Sequence, residues 1–395
     1  MEIIELEEEE ERKIPKDRFD EAAALALKKR FKDSISVEFP SPLNNAYVIR
    51  SNGYIGYIQI NEDYSLRILP KVSTPNIFRM LEYAYNLCDF RLLEGVSKVS
   101  SIEGLFERLA IILAKRVLER SHKGLYHDYT PKTDTLTYAR GQIQLIPTTR
   151  AILRGQGQFT CSYEEHTADL PDNQILAWTL YQLRRFQIER NDVRSLIRKA
   201  YFELTKVVSL RHITPQECIK RLYHRLNQDY QPMHGLCRFF LKQGGPGIFA
   251  GEYDFIPFIL YMPELFESFI SEWLKVHLPS AYHLQKQYQA ALDSTGNFNF
   301  IIDLVISDPK TKTVLCVLDT KYKRQSKPSP SDIQQIVAYA VRMNTPNAFL
   351  IYPSTRTESF DLQVGNIRVR RLTFDIEQQL DCAGHTFLQE LLTQI

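Results

Sequence analysis

The sequence predicts a multidomain α+β protein, in which a β-rich and helical N-terminal part is followed by a C-terminal α/β domain. Its 395 residues are too many for one ordinary hydrophobic core, so two or three domains are expected. The clearest break in the chain is the run GGPG at 244–247. We therefore predict a β-rich region over 1–95, a mixed and helical region over 96–247, and a third domain over 248–395.

Turn residues divide the N-terminal region into short segments. Pro-Ser-Pro, Ser-Asn-Gly and Asn-Glu-Asp separate runs with β-type composition, which indicates a small antiparallel sheet or barrel. These runs are Ile35–Phe39, Ala46–Arg50, Tyr54–Ile60 and Ser65–Leu69. Before them, Asp17–Phe31 favours a helix, and the acidic run Glu7–Glu11 favours a solvated loop or strand edge over an interaction tail.

The middle region is predicted to be mostly helical. An apolar stripe predicts a helix over Ser101–Arg120, and Thr-rich alternation predicts β structure over Tyr126–Leu145. Asp172 can cap the first turn of the helix that follows it. The further helices are expected over Asn173–Glu189, Asp192–Leu210 and Thr214–Gln243.

Composition excludes several classes of protein. A hydrophobic fraction of 44% with 24% charged residues is typical of a soluble globular chain. No run approaches the roughly twenty apolar residues of a membrane span, and the acidic start lacks the features of a signal peptide, so we expect a cytoplasmic protein. Six scattered cysteines form no C-x-x-C pair, which argues against a zinc knuckle or a disulfide framework.

Two carboxylates and a lysine interrupt two apolar runs that we interpret as a β-hairpin. Asp303 lies within the strand-like run Phe300–Ile306, and Asp319 and Lys321 end the run Thr313–Lys321. Turn residues at 308–310 join the runs. In one register, the two residue numbers of each cross-strand pair add up to an even number, as with Ile306 opposite Val314. In that register the side chains of Asp303, Asp319 and Lys321 share one face of the hairpin.

The helices on either side of the hairpin carry further polar candidates. Glu267 lies beside an apolar stripe, and most glutamates in such a position are surface residues. After the hairpin, Ser331 with Gln334 makes a capping-box pattern that opens a helix. The other side of this helix presents Asp332, Gln335 and Tyr339, either to solvent or as the wall of a site.

The residue types in this segment suit a metal site for a polyanionic substrate. Mg²⁺ is typically held by one or two carboxylates together with waters and a phosphate, and a nearby lysine can hold an attacking water and offset phosphoryl charge. Lysines and arginines also crowd the hairpin, at 310, 312, 321, 323, 324 and 327. A plain salt bridge between Asp319 and Lys321 is an equally good interpretation of the D-x-K spacing alone.

The wider pattern resembles the PD-(D/E)XK nucleases, in the form found in the McrC family of modification-dependent restriction subunits. The matching residues are Leu265-Phe266-Glu267, Ile302-Asp303, the block LDTKYK at 318–323, and Asp332, Gln335 and Tyr339. Two N-terminal blocks also look characteristic of that family, GYIQINEDYSLRILPK at 56–71 and CSYEEHTADLPDNQ at 161–174. The resemblance therefore extends over most of the chain.

The resemblance implies a Mg²⁺-dependent endodeoxyribonuclease with a central mixed sheet in the domain over 248–395. It implies metal ligands at Asp303, Asp319 and Glu267, and catalytic roles for these three and for Lys321 and Gln335. Contacts to DNA are expected from Lys323, Arg324 and Tyr339.

The resemblance also implies partners. The region over 1–247 would dock on an McrB-like AAA+ GTPase hexamer that acts on double-stranded DNA with modified bases, as part of antiviral defence. GTP would be bound by that partner, in keeping with the lack of a G-x-x-x-x-G-K-[ST] loop in this sequence. Two alternatives stay open: a regulatory scaffold that activates the GTPase without cutting DNA, and a stand-alone repair nuclease of the same fold.

Overall fold

The computed structural model describes residues 2–42, 44–87, 102–186, 188, 190–219, 221–243, 258–292, 298–323, 327–354 and 358–395. The chain divides into two compact units. The first contains Met1–Phe106 and Pro257–Ile395, and the second contains Glu107–Ile256. The predicted region 1–95 and nearly all of region 248–395 therefore share one unit, and the division of function between the predicted regions stays a prediction.

The N-terminal part of the first unit forms two small sheets. The strands are β1 (Glu2–Glu7), β2 (Glu11–Pro15), β3 (Ile35–Glu38), β4 (Ala46–Ser51), β5 (Tyr54–Gln59) and β6 (Tyr64–Leu69), with helices α1 (Glu21–Arg30) and α2 (Thr74–Ala84). One sheet has the order β2-β4-β3, and the other has the order β1-β6-β5 followed by a strand at Phe258–Tyr261. The four predicted strands are confirmed to within a residue or two.

Their predicted assembly into one antiparallel sheet or barrel is wrong. Strands β3 and β4 lie in a different sheet from β5 and β6, and β1 pairs with β6 in parallel. Alternation of apolar residues locates a strand but does not name its partner, because the partner can come from a distant part of the chain.

Glu8 contradicts the prediction for the acidic run. Its side chain is fully buried, whereas Glu7, Glu9 and Glu10 are exposed. The backbone N–H of Glu8 donates to the carbonyl oxygen of Leu69 at 3.0 Å. The turn after β1 directs this carboxyl group inward, where the hydroxyl of Tyr322 donates to it at 3.2 Å and replaces part of its hydration.

The second unit combines helices with one antiparallel sheet. The sheet has the order β7-β9-β8, formed by β7 (Asp128–Leu136), β8 (Gln142–Ile143) and β9 (Phe159–Thr167). The helices are α3 (Ile102–Lys123), which begins before the boundary between the units, α4 (Leu145–Leu153), α5 (Pro171–Leu183), α6 (Asn191–Thr205) and α7 (Tyr230–Gln243). The predicted break at 244–247 lies outside the described residues.

Two predictions for the second unit are wrong. Leu170, not Asp172, is the N-cap of α5, and Asp172 is buried in the first turn with Arg221 as its ion-pair partner. The single helix predicted over Thr214–Gln243 is instead a short 3₁₀ helix, Pro215–Cys218, followed by α7 after an interval without α-helix. Thr214 and Glu217 form a capping box for the 3₁₀ turn.

The C-terminal part of the first unit is built around a six-stranded sheet with the order β11-β12-β13-β14-β16-β15. Its strands are β11 (His283–Ala291), β12 (Asn299–Ser307), β13 (Val314–Thr320), β14 (Asn347–Tyr352), β15 (Asp361–Val364) and β16 (Ile367–Thr373), and β10 is Phe258–Tyr261. Strands β13, β14 and β16 run parallel, and the other pairs are antiparallel. The predicted mixed sheet is therefore confirmed.

Three helices accompany this sheet: α8 (Met262–His277), α9 (Pro330–Met343) and α10 (Leu380–Gln394). Ile336 and Ala340 of α9 belong to the same buried cluster as Val305, Val317 and Leu350 of the sheet. This packing fixes α9 over the strands that carry the candidate site. No helix among the described residues has both the length and the apolarity needed to cross a membrane.

The helix boundaries differ from those predicted. The N-cap of α9 is Ser329, whose hydroxyl accepts from the N–H of Asp332, and not Ser331. Pro330 takes the first helical position, where its missing N–H has no cost. The terminal helix, α10, begins at Leu380.

Candidate active site

The register of the hairpin places Asp303 and Asp319 at its open end. Leu304 pairs with Leu318 and Val305 with Val317, so the paired numbers add to an even number, as the hypothesis of a shared face requires. Ile306 pairs with Cys316 and not with Val314, which was the example given from the sequence. An irregularity in the pairing lies between Ile306 and Ser307. The ladder stops at the pair of Leu304 and Leu318, directly before the two aspartates.

Asp303 closes the end of this ladder with its side chain. One carboxylate oxygen, Oδ2, accepts from the backbone N–H and from the hydroxyl of Thr320, both at 2.9 Å. Thr320 lies between Asp319 and Lys321, so the bonds tie Asp303 to the strand that carries the other two residues. Oδ1 of Asp303 takes no part in these two bonds.

Asp319 and Lys321 form a buried ion pair. Lys321 Nζ lies 2.5 Å from Asp319 Oδ2, and the side chains are only 14% and 3% exposed. Burial raises the pKa of Asp319 to about 6, with a further contribution from the negative charge of Asp303. Burial works to lower the pKa of Lys321, but the charge of Asp319 outweighs it and the pKa is raised. The salt bridge is therefore present as part of a larger cluster of charges.

Helix α9 supplies one wall of this cluster. Lys321 Nζ donates to Gln335 Oε1 at 3.0 Å, and Gln335 Nε2 donates to the hydroxyl of Tyr339 at 2.7 Å. Asp332 is buried and accepts from Lys323 Nζ at 2.9 and 3.0 Å. Burial of Asp332 and Tyr339 excludes the solvent-facing interpretation for these two residues and supports that of a site wall.

Asp332 also helps to fix the position of Lys321, whose Nζ lies 3.8 Å from Asp332 Oδ1. Burial acts to raise the pKa of Asp332, but hydrogen bonds from Ser329 and Lys323 outweigh it and the pKa is lowered. Asp332 therefore keeps its negative charge and orients both lysines.

Helix α8 contributes Glu267 from the other side. Burial raises the pKa of Glu267 to about 7, and the negative charges of Asp303 and Asp319 add to this effect. The amide of Gln287 in β11 donates to Glu267 Oε1. Glu267 is thus a neighbour of both aspartates and not the surface glutamate that its position in the sequence favours.

The residues present fit a divalent cation. Among the described residues, the four carboxylates of Glu267, Asp303, Asp319 and Asp332 lie with the two ammonium groups of Lys321 and Lys323. The raised pKa values of Glu267 and Asp319 have the same two causes, first burial and then the negative charge of Asp303. Within the described part of the chain, no three or more His, Cys, Asp or Glu side chains form a ready cluster of ligands. One or two carboxylates are sufficient for Mg²⁺, since waters and substrate phosphate complete its coordination.

The residues predicted to contact DNA lie in different settings. Lys323 is bonded to Asp332 and its side chain remains 41% exposed. Tyr339 is only 6% exposed and lies behind Gln335, which gives it a supporting position. Arg324 lies outside the described residues. Contact of these three residues with DNA stays a prediction.

Sequence reasoning missed Gln287, Thr320 and Glu8. Thr320 stands within the LDTKYK block, but its bond to Asp303 follows from the end of the ladder. Gln287 and Glu8 lie in polar stretches that have no motif, so the sequence carries no signal that would single them out.

The chain was also compared with known proteins. A profile of the family described as McrBC 5-methylcytosine restriction system component matches residues 49–353. The Type IV methyl-directed restriction enzyme EcoKMcrBC of Escherichia coli (strain K12) is 23% identical over 346 residues, which cover 82% of this chain and 97% of that relative.

Solved structures show a similar fold. A refined half-complex from a tetradecameric assembly of Thermococcus gammatolerans McrB AAA+ hexamers with bound McrC contains a chain that matches with a TM-score of 0.59 and 19% identity, covering 100% of both chains. The McrBC complex of the same organism, solved by cryo-electron microscopy, matches with a TM-score of 0.44 and 21% identity over 71% of this chain and 89% of that chain. The first match bears on the fold, and the second is too weak to add to it.

Proposed function

The chain belongs to the family of McrBC 5-methylcytosine restriction system components, and we propose that it is the subunit that cuts DNA in such a system. The proposed reaction is Mg²⁺-dependent hydrolysis of phosphodiester bonds by a domain of the PD-(D/E)XK type. The observation that carries this proposal is the buried pair of Asp319 and Lys321 at the open end of the hairpin, beside Asp303. A hairpin stabilised by a simple salt bridge would not need a second and a third carboxylate next to the pair.

The contacts of each residue in the cluster support the role that we propose for it. Asp303 and Asp319, with Glu267 beside them, would hold the cation, which when bound supplies Lewis-acid polarisation of the scissile phosphate. Lys321 carries a positive charge and would orient the attacking water and stabilise the charge that develops on the phosphate. Gln335 fixes the position of Lys321 through its hydrogen bond at 3.0 Å.

We propose that the substrate is double-stranded DNA with modified bases, and that the chain docks on an McrB-like AAA+ GTPase hexamer. The similar Thermococcus chain is part of an assembly of McrB AAA+ hexamers with bound McrC, and the Escherichia coli relative is a methyl-directed restriction enzyme. GTP would be bound by the partner, in keeping with the lack of a G-x-x-x-x-G-K-[ST] loop in this sequence.

Substitution of the ion pair tests the cleavage activity. We expect Asp319→Asn and Lys321→Gln to lower the cleavage rate by about 10²–10³-fold or more, since the first removes the charge of a carboxylate that would hold the cation and the second removes the positive charge that would stabilise the reacting phosphate. The measurement is cleavage of a plasmid that contains 5-methylcytosine, with the partner GTPase, GTP and Mg²⁺. Lys310→Gln is the matched control, because Lys310 is exposed in the loop at the other end of the same hairpin. Wild-type rates in the two site variants would contradict the proposal.

The same proteins separate cleavage from regulation. The scaffold alternative predicts that the wild-type chain stimulates GTP turnover by the partner without cutting DNA. Substitutions at the site would then leave GTP turnover unchanged. Our proposal predicts that the Asp303→Ala/Asp319→Ala/Lys321→Ala variant still stimulates GTP turnover and no longer cuts DNA. Cleavage by the wild-type chain without any partner would instead favour the stand-alone nuclease.

A further inference from the structure

Gln287 has an unusual backbone conformation for a residue within a strand. Its φ is +49°, in the left-handed region, where a side chain with a Cβ atom is disfavoured. Gln287 lies within β11 and is exposed, so core packing does not impose this conformation. Residues held in sparsely populated backbone regions concentrate at functional sites.

The unusual residue lies opposite Asp303. Lys286 pairs with Leu304 and Tyr288 pairs with Ile302, whereas Gln287 itself has no partner in the ladder. The register is the same on both sides of the gap, so no residue has been inserted and the distortion is not the ordinary two-against-one β-bulge. The ladder is interrupted at the one position of β11 that faces a proposed metal ligand.

The left-handed turn changes where the side chain points. In a regular strand, consecutive side chains project to opposite faces of the sheet. Here the neighbours Lys286 and Gln287 both reach the same helix, α8. Lys286 Nζ bonds to Glu272, and Gln287 Nε2 bonds to Glu267.

A neutral amide suits this position. A lysine or arginine that bonded to Glu267 would hold the carboxylate but would also cancel part of the negative charge that a divalent cation needs. The amide of Gln287 donates to Oε1 of Glu267 and adds no charge. Oε2 of Glu267 is then available to the cation or to its bound water.

We propose that Gln287 is a positioning residue of this site, and that the left-handed turn in β11 aims its amide at Glu267 and holds that carboxylate toward Asp303 and Asp319. The inference rests on the proposed metal-dependent function. Hydrogen bonds from the protein to ligand carboxylates commonly contribute about 10- to 100-fold to metal affinity.

The test uses variants of the 395-residue chain, with Mn²⁺ as a spectroscopically visible substitute for Mg²⁺. Gln287→Gly removes the amide and also suits the left-handed backbone. We expect it to weaken Mn²⁺ binding, measured by electron paramagnetic resonance titration, by about 10- to 100-fold, with an unchanged or higher melting temperature. Gln289→Gly is the matched control, because Gln289 is an exposed glutamine two positions along the same strand.

A double-mutant cycle identifies the route of the effect. If Gln287 acts through Glu267, then Gln287→Gly has no further effect on Mn²⁺ affinity in a Glu267→Ala background. Wild-type affinity in Gln287→Gly, or an undiminished effect in the Glu267→Ala background, would overturn the positioning role.

Asp303→Asn distinguishes a wrong role for Gln287 from a wrong assignment of the metal site. If Asp303→Asn weakens Mn²⁺ binding and Gln287→Gly does not, only the role of Gln287 is wrong. If neither variant changes Mn²⁺ binding, the metal site is wrong and both proposals fail.

Discussion

Asp319 and Lys321 differ from an exposed ion pair because water reaches neither of them freely. Surface pairs contribute little to stability, whereas removing one partner of a buried pair leaves an uncompensated charge. Lys321→Gln keeps a donor next to Asp319, which is why it is a better probe of chemistry than a truncation. A variant that unfolds would say nothing about phosphate chemistry, so each cleavage assay needs a melting curve beside it.

Glu8 makes the stability of the chain depend on pH. Burial raises the pKa of its carboxyl group from 4.5 to about 7, with a smaller contribution from Glu9. Because the folded state favours the protonated form, the stabilisation is fully present below pH 4.5 and is lost as the pH rises through 7. Glu8→Gln keeps a neutral acceptor for Tyr322 at every pH.

We therefore expect Glu8→Gln to be more stable than the wild type at pH 8, by up to about 3 kcal/mol, and nearly equal to it at pH 4. Urea denaturation at the two pH values measures the difference. Glu10→Gln, at an exposed position of the same run, is the control and should change neither value. A Glu8→Gln variant that is less stable than the wild type at pH 8 would mean that the charged form is the one that the fold requires.

At the scale of single residues, the sequence indicates a site only where a residue type conflicts with its surroundings. Asp303 is visible because it interrupts a run of β-branched and apolar residues. Gln287 and Glu8 are not visible, since a glutamine on an exposed strand and a glutamate in an acidic run agree with their neighbours. Their importance depends on a backbone torsion and on burial, which are properties of the folded chain.

The hairpin and α9 are the elements that assemble the site. Strand β13 carries Asp319, the segment after it carries Lys321, and α9 returns across the sheet with Gln335 and Asp332. The strands were predictable because their alternation and turn residues are local. The irregularity between Ile306 and Ser307 was not, and it changes which residues are paired near the loop.

The start of α9 gives a direct test of the cap that the structure assigns. Ser329 accepts from the N–H of Asp332 at 3.2 Å, and the same turn holds the Asp332 carboxylate that orients Lys321 and Lys323. We expect Ser329→Ala to lower stability by about 0.5–2 kcal/mol and also to lower the cleavage rate.

Ser331→Ala is the matched control, since the capping-box pattern in the sequence would make Ser331 the cap. A smaller loss of stability in Ser331→Ala than in Ser329→Ala, measured by thermal unfolding, is expected. Equal losses would contradict the assigned cap. The sequence placed this cap two residues too late because Ser329 and Ser331 both fit the preference for small hydroxyl residues, and only the position of Pro330 at the first helical residue distinguishes them.

On the scale of the whole chain, the N-terminal sheet and the candidate site belong to one unit. Strand β10 pairs with β5 and leads directly into α8, the helix that carries Glu267. The first N–H of this helix, from Met262, donates to the carbonyl oxygen of Gly53 at 3.0 Å. No local pattern could predict this link, because its two halves are far apart in sequence.

Gly56 is where this long-range pairing can be tested. Its φ is +136°, and a Cβ atom added there would lie 2.1 Å from the carbonyl oxygen of Phe258. Gly56→Ala must therefore displace β10 or distort β5, and we expect it to lower the stability of the first unit by about 1–3 kcal/mol or more. Because β10 sets the start of α8, we also expect weaker cleavage, through displacement of Glu267.

Gly157→Ala is the control, since an added Cβ would meet no atom within 4 Å. Calorimetric unfolding and plasmid cleavage measure the two effects, and a Gly56→Ala protein that melts and cuts like the wild type would mean that the pairing of β5 with β10 does not position the site.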